Sequence, residues 1–98
     1  MTSPIEERLR SLLGEPDGDD PPSRAALDEA LGEGYTLALR LDAERLALER
    51  RITGLAARAE DDDAAQELRR AWLRHRTIGA ELRELRLTLR RLKEARGR

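Results

Sequence analysis

A chain of 98 residues with 40% charged and 39% hydrophobic residues is long enough for one small domain with a thin core, the size class that often gains stability by oligomerisation. Its 18 leucines and 14 alanines, beside three isoleucines and no valine or phenylalanine, disfavour strands, so we predict an all-α protein. The absence of cysteine excludes disulfides and thiolate chemistry, and no apolar run is long enough for a signal peptide or a membrane span, so we expect a cytoplasmic location.

The first predicted element is a short N-terminal helix. Ser3, Pro4 and Glu6 supply the N-cap, the first-turn proline and the capping-box glutamate that mark a helix start. One face of this helix carries Ile5, Leu9, Leu12 and Leu13. A helix of about ten residues is marginal alone in water, so it must dock on the rest of the chain or bind a partner, and the sequence leaves both open. Gly14–Pro22 is acidic and lacks apolar residues, which predicts a flexible linker, so we assign residues 1–22 to an arm.

Residues 23–98 are predicted to form a helical hairpin domain. Ser23 can cap a short helix, which Gly32 and Gly34 weaken near its end. The predicted helices of this domain are, in order, about 24–31, about 35–60 and about 63–96.

Both long helices carry apolar residues every three or four positions, as the a and d positions of heptad repeats do. On the last helix this seam consists of Leu68, Ala71, His75, Ile78, Leu82, Leu85, Leu89 and Leu92. On the helix before it the seam consists of Ala38, Leu41, Arg45, Leu48, Ile52, Leu55 and Ala59. The heptad registers of the two seams differ by two residues, which corresponds to about 200° around a helix. If both segments formed one continuous helix, their seams would therefore lie on opposite sides of it. A break at 60–63, with Asp63 as the cap and Gln66 as its capping-box partner, predicts an antiparallel, coiled-coil-like hairpin.

Each long helix also has a second, weaker apolar face outside its seam. The residues that we predict to form a dimer or partner face are Leu39, Leu46, Trp72, Leu73, Ala80 and Leu87. One hairpin cannot bury both faces of its helices. Two hairpins packed into a four-helix bundle would cover more of them, so we predict a homodimer, with a monomer covered by its own N-terminal arm as the alternative.

Charge is distributed unevenly along the chain. Residues 1–63 hold 8 basic and 16 acidic side chains, whereas residues 64–98 hold 11 basic and 4 acidic ones. In one interpretation the acidic part neutralises the basic helix of the same chain or of its mate; in the other, a basic face binds an acidic partner or a phosphate backbone. This basic face comprises Arg69, Arg70, Arg76, Arg83, Arg90 and Arg91. The other basic side chains of the same segment are further candidates for such binding, and they are Arg74, Arg86, Lys93, Arg96 and Arg98. The net charge of −1 and the scarcity of aromatic residues disfavour direct binding of nucleic acid.

Two polar residues interrupt the seams. We predict that His75 and Arg45 set the register of the hairpin rather than bind a ligand. Arg45 has Asp42 and Glu49 as possible partners on its own helix, and Glu49 is also a candidate carboxylate partner for His75 across the seam.

The sequence offers little for catalysis. His75 is the only histidine, and the three serines lie in or beside the predicted arm, so no nucleophile–base pair is indicated. Trp72 occupies the position where a helical di-metal site would need a glutamate. We therefore predict no catalytic residue, no cofactor and no metal site. The acidic tip of the hairpin, Asp61, Asp62 and Asp63, is predicted to consist of solvated capping carboxylates.

These features predict a non-enzymatic module for protein–protein interaction or regulation that acts through the surfaces of the hairpin. The alternative is a nucleic-acid or RNA-polymerase-associated factor that uses the basic C-terminal helix or the acidic tip. A hairpin with acidic residues at its tip resembles Gre-type transcript-cleavage factors in that feature, although those factors carry a second domain. Salt separates the two functions, because phosphate binding weakens steeply with added salt, whereas helix-groove binding to a protein changes little.

Overall fold

The computed structural model describes residues 4–13 and 23–97, and every regular element in these ranges is a helix. The helices are α1 (Pro4–Leu13), α2 (Arg24–Ala56) and α3 (Asp62–Arg96). This confirms the predicted all-α class, and the two long helices pack against each other as expected for a hairpin. The predicted cap Ser3 and the predicted linker Gly14–Pro22 lie outside the described residues. None of the described helices combines the length and the apolarity that a membrane span requires.

The start of α2 agrees with the prediction, but its predicted interruption is wrong. The Ala26 amide donates to Ser23 Oγ at 3.1 Å, so Ser23 caps the helix. α2 then continues without a break through Gly32 and Gly34 to Ala56. Each glycine costs a helix only about 1 kcal/mol relative to alanine, and the packing of the buried side chains around this stretch is large enough to offset it.

Gly34 is needed at its position for space. It is buried, and a Cβ atom added to it would overlap Leu89 Cδ2 and lie 3.3 Å from Leu9 Cδ1. None of the described glycines has a positive φ, so backbone conformation does not require glycine here. Gly34 therefore marks a close approach of three helices, whereas a helix-propensity scale registers it only as a breaker.

The connection between α2 and α3 is shifted towards the N-terminus relative to the prediction. From Arg58 onward its bonded amides donate three residues back, as in the bond of 3.0 Å from Arg58 N to Leu55 O, and this tightening follows the end of α2 at Ala56. Ala59 is consequently exposed and not part of the seam. The cap of α3 is Asp61 and not Asp63, because the Asp63 amide donates to Asp61 Oδ1 at 2.9 Å. Neighbouring aspartates are equivalent as capping residues in sequence, and the earlier helix start selects the first of them.

One compact unit, which we call the hairpin unit, comprises Leu39–Leu82. Its two helical segments run antiparallel, since Arg51 of α2 pairs with Glu67 of α3 beside the connection, and Glu44 pairs with Arg74 farther from it. The buried side chains of this unit all occupy predicted seam positions or the first turn of α3, and they are Leu41, Ile52, Leu55, Ala64, Ala71, Ile78 and Leu82. The predicted seam is thus the core of this unit.

The other compact unit, which we call the three-helix unit, comprises Met1–Ala38 and Arg83–Arg98. Its buried apolar side chains are Leu9, Leu27, Ala30, Leu31, Leu37, Leu85, Leu89 and Leu92. Leu9 of α1 has no exposed surface, and ion pairs join Arg8 to Glu33 of α2 and Arg10 to Glu84 of α3. α1 therefore docks on its own chain and belongs to a core, so the assignment of this helix to a separate arm is corrected.

Candidate functional site

The predicted dimer or partner face consists of exposed side chains on the outward sides of the helices. Its large members, Leu39, Leu46, Trp72, Leu73 and Leu87, are between 45% and 73% exposed, and Ala80 is exposed as well. In the hairpin unit, Leu39 lies two residues from the buried Leu41, and Leu73 lies two residues from the buried Ala71. Two residues correspond to about 200° around a helix, so each outward surface lies opposite the packed seam of its own helix.

Trp72 of the hairpin unit contacts His75, which in turn pairs with Glu49. Its ring meets the ring of His75 edge to face, with the centroids 5.7 Å apart and the planes at 82°. His75 Nε2 in turn lies 3.0 Å from Glu49 Oε1, so the carboxylate named as a candidate partner is the group that His75 contacts across the two helices. An edge-to-face aromatic contact fixes ring orientation, and half of the indole surface remains open to a binding partner.

Arg45, the other polar seam residue, pairs with Asp42 as predicted. Its Nη2 lies 2.9 Å from Asp42 Oδ1, while its Nε is buried without a hydrogen-bond partner. A half-buried guanidinium is costly to desolvate, which fits a group that favours one register over others.

The predicted basic face is exposed, and its charges are not paired with any residue that the structure describes. None of its members, Arg69, Arg70, Arg76, Arg83, Arg90 and Arg91, forms an ion pair with another described residue. Arg74, which is among the further predicted candidates, is different: its Nε and Nη2 donate to the two oxygens of Glu44 at 3.0 and 3.2 Å, and this fork raises the pKa of Arg74. The ion pairs among the described residues therefore involve other basic side chains and none of the six arginines of the basic face.

Unpaired arginines flank the outward leucines of α3 in both units. Arg69 and Arg76 lie four residues before and three residues after Leu73 in the hairpin unit, and Arg83 and Arg90 stand in the same relation to Leu87 in the three-helix unit. At these spacings the side chains share one side of a helix. The outward surface of α3 is thus apolar and basic at once, whereas on α2 Leu39, Ala43 and Leu46 share their side of the helix with a single exposed arginine, Arg50.

The acidic tip serves helix capping. Asp61, Asp62 and Asp63 are all exposed, and Asp61 accepts the amide bond that caps α3. Carboxylates in the first turn also match the positive end of the helix dipole. Within the ranges that the structure describes, no group of three or more histidine, cysteine, aspartate or glutamate side chains is arranged to hold a metal ion.

A groove that sequence reasoning missed lies on the three-helix unit. It has a volume of about 310 Å³ and is lined by Tyr35, Ala38, Arg86, Leu89, Arg90 and Lys93. Of these, Arg86, Arg90 and Lys93 were predicted as candidates for binding an acidic partner or phosphate, whereas Tyr35 was not. A compositional signal does exist, because Tyr35 and Lys93 are the only tyrosine and the only lysine of the chain, but only the pairing of α2 with α3 brings them to one place.

Exposed apolar surfaces, uncompensated guanidinium groups and one basic groove are the features from which a function can be argued. No protein-family model, curated protein or solved structure matches the chain. Each of the three features is a type of surface through which proteins commonly bind other molecules.

Proposed function

We propose that the protein is a non-enzymatic interaction or regulatory module that binds protein partners through the outward surfaces of its hairpin, and that it assembles as a homodimer. The observation that carries this proposal is the exposure of Leu39, Leu46, Trp72, Leu73 and Leu87. Burial of one large apolar side chain contributes about 1.5–3 kcal/mol of favourable free energy. Exposure of five of them to water is therefore unfavourable unless a partner covers them. Large apolar side chains that lie together on one helix surface, as Leu39 and Leu46 do on α2, are typical of interaction sites.

The outward surface of α2 is the one that we assign to self-association. A two-fold axis brings identical surfaces together. On α3 it would therefore oppose unpaired arginines, and like charges held close in an interface are unfavourable. On α2, antiparallel packing about a point between Asp42 and Ala43 places Leu39 of one copy against Leu46 of the other. The one exposed arginine on this side, Arg50, then lies far from its counterpart in the other copy. The outward surface of α3 then remains available for a different, acidic partner.

The first prediction tests the dimer. Light scattering after size exclusion at tens of micromolar is expected to give about twice the 11.1 kDa chain mass. Replacing both Leu39 and Leu46 with Glu is expected to raise the dissociation constant by about 100-fold or more, because carboxylates would be buried against apolar surface. The matched control is the pair Leu73→Glu and Leu87→Glu on α3, which adds the same charge and is expected to remain dimeric. A wild-type monomer would overturn the homodimer, and dissociation by the α3 pair alone would move the interface to α3.

A second candidate function is binding of nucleic acid through the basic face. The observation that favours it is the lack of any ion pair between the six predicted arginines and other described residues. Phosphate groups are natural partners for exposed guanidinium groups, and they would compensate charge that the fold leaves open. The chain as a whole carries a charge of −1, so such binding would depend on the local charge of α3.

The second prediction addresses this candidate by salt dependence. If the basic face binds phosphates, the affinity for a labelled RNA or DNA duplex, measured by fluorescence anisotropy, should fall by orders of magnitude between about 50 and 200 mM salt. Arg69→Gln combined with Arg76→Gln should reduce the salt slope by about two, because each lost phosphate contact removes about one. The matched control combines Arg51→Gln with Arg74→Gln, two arginines already paired with carboxylates. The absence of binding at about 50 mM salt would eliminate this candidate and leave the protein-interaction proposal standing.

A further inference from the structure

One wall of the groove on the three-helix unit is a short column of cations. Arg86, Arg90 and Lys93 follow one another at intervals of four and three residues, so they lie on one side of α3 and extend over about 10 Å of its length. Arg90 and Lys93 form no ion pair with any described residue, whereas Arg86 has an interaction of its own within the chain. The groove therefore presents at least two cations whose charge the described part of the chain does not balance.

The remaining lining suits a molecule with both charged and uncharged parts. Tyr35 comes from α2 and is 47% exposed, so its hydroxyl can donate a hydrogen bond and its ring can pack against a flat group. Ala38 and Leu89 supply apolar lining between the two helices. α1 contributes no residue to the lining, and the groove is present in the structure in which α1 is docked.

A comparison with a second groove shows why this one is distinctive. The hairpin unit has a groove of about 360 Å³, but there Arg51 pairs with Glu67 inside the lining, and Arg74, also in the lining, pairs with Glu44. The lining of the groove at Tyr35 contains three basic side chains and no carboxylate. The third arginine of the hairpin-unit lining, Arg70, forms no ion pair with a described residue, so that groove holds one unbalanced cation, whereas the groove at Tyr35 holds at least two and no carboxylate.

We propose that this groove binds a small anion that carries two or more linked phosphate groups. Guanidinium groups match phosphate oxygens in two-pronged hydrogen bonds, and an ammonium group adds a further donor. A single phosphate cannot reach cations spread over about 10 Å, whereas a phosphate chain distributes its charge along such a column. The volume of about 310 Å³ is at the lower end of the range for small-molecule sites, which suits a di- or triphosphate better than a folded partner.

In the experiment, inorganic triphosphate is titrated into the full chain at about 0.15 M ionic strength, where exposed charges more than about 8 Å apart are largely screened, and binding is monitored by calorimetry and by backbone NMR. Saturable binding of one triphosphate per chain is expected, with amide shifts centred on Tyr35, Arg90 and Lys93. Arg90→Gln and Lys93→Gln should each weaken binding about tenfold, because each removes a charge-assisted hydrogen bond. Since Lys93 is the only lysine, triphosphate should also slow its acylation by an amine-directed reagent, which mass spectrometry measures on a single peptide.

Arg91→Gln is the matched control, because it removes the same charge from the neighbouring residue, which does not line the groove. Its affinity should stay within about twofold of wild type, since an exposed charge outside the contact is screened. Equal losses at Arg90 and Arg91, or no saturable binding, would overturn the proposal. Titration of a nucleoside triphosphate distinguishes the source of the phosphate chain. If it binds more tightly than inorganic triphosphate, and if Tyr35→Ala abolishes this difference, the base of the ligand packs on Tyr35. Equal affinities for the two ligands would mean that the site binds the phosphate chain alone.

Discussion

Truncation of either of two fully packed leucines, Leu82→Ala or Leu9→Ala, is expected to lower the free energy of unfolding by about 2–5 kcal/mol. Leu82 is 1% exposed in the hairpin unit, and Leu9 is 0% exposed in the three-helix unit, so each substitution leaves a cavity in the core of its own unit. Small domains have a total stability of about 5–15 kcal/mol, and a loss of this size is a large part of it. Urea denaturation followed by far-ultraviolet circular dichroism at one fixed protein concentration gives the measurement.

The controls for this experiment are two leucines with more exposure. Leu12→Ala on α1 removes a half-buried side chain and is expected to cost less than Leu9→Ala on the same helix. Leu87→Ala removes a side chain that is 51% exposed and is expected to cost less than about 1 kcal/mol. A loss at Leu9 no larger than the loss at Leu87 would show that α1 does not contribute to the core in solution.

The hairpin could be predicted from the sequence because its signal is repeated. The seam of α3 has eight members, so a local exception such as His75 does not obscure it, and six of the eight are buried. A residue two positions from this seam points outward by helix geometry alone, which is why the exposed Leu73 and Leu87 could be predicted as well. Periodicity therefore predicts which side of each helix is buried.

The errors occurred where one residue had to be interpreted without knowledge of its neighbours. Helix propensity alone marked Gly34 as a helix breaker. Only the closeness of Leu89 and Leu9 shows that this position lacks room for a side chain. Which aspartate caps α3 depended on where α2 ends. Docking of α1 depended on whether the other helices form a site that buries Leu9. Each of these features is determined by tertiary packing, and none can be predicted from the spacing of residues within one helix.

The candidate sites divide in the same way. The basic face could be named from the sequence because its residues lie on a single helix, but the absence of their ion pairs within the described ranges required the positions of the carboxylates on other helices. The groove at Tyr35 joins two helices whose relevant residues are far apart in the chain. Sites within one element are therefore accessible to pattern analysis, and sites between elements require the packing of the fold.

Gly34→Ala is expected to destabilise the protein although alanine is the better helix former. Alanine in place of glycine contributes about 1 kcal/mol to a helix interior. At Gly34, however, the new methyl group would overlap Leu89 Cδ2 and crowd Leu9 Cδ1 at 3.3 Å, and both leucines are buried. Overpacking of this kind costs about 1–3 kcal/mol, so the net effect should be a loss and a melting temperature below that of the wild type.

Gly32→Ala, two residues earlier on the same helix, is the matched control. Gly32 is exposed, and a Cβ atom there would meet nothing within 4 Å, so the gain in helix propensity should appear in full. We expect Gly32→Ala to raise the stability by about 1 kcal/mol, or the melting temperature by about 4–8 °C for a domain of this size. The two alanine variants have the same composition and differ only in position, so thermal melts compare them directly. Equal stabilisation by both would mean that α1 and α3 do not approach α2 at Gly34, and the close packing of the three-helix unit would then be wrong.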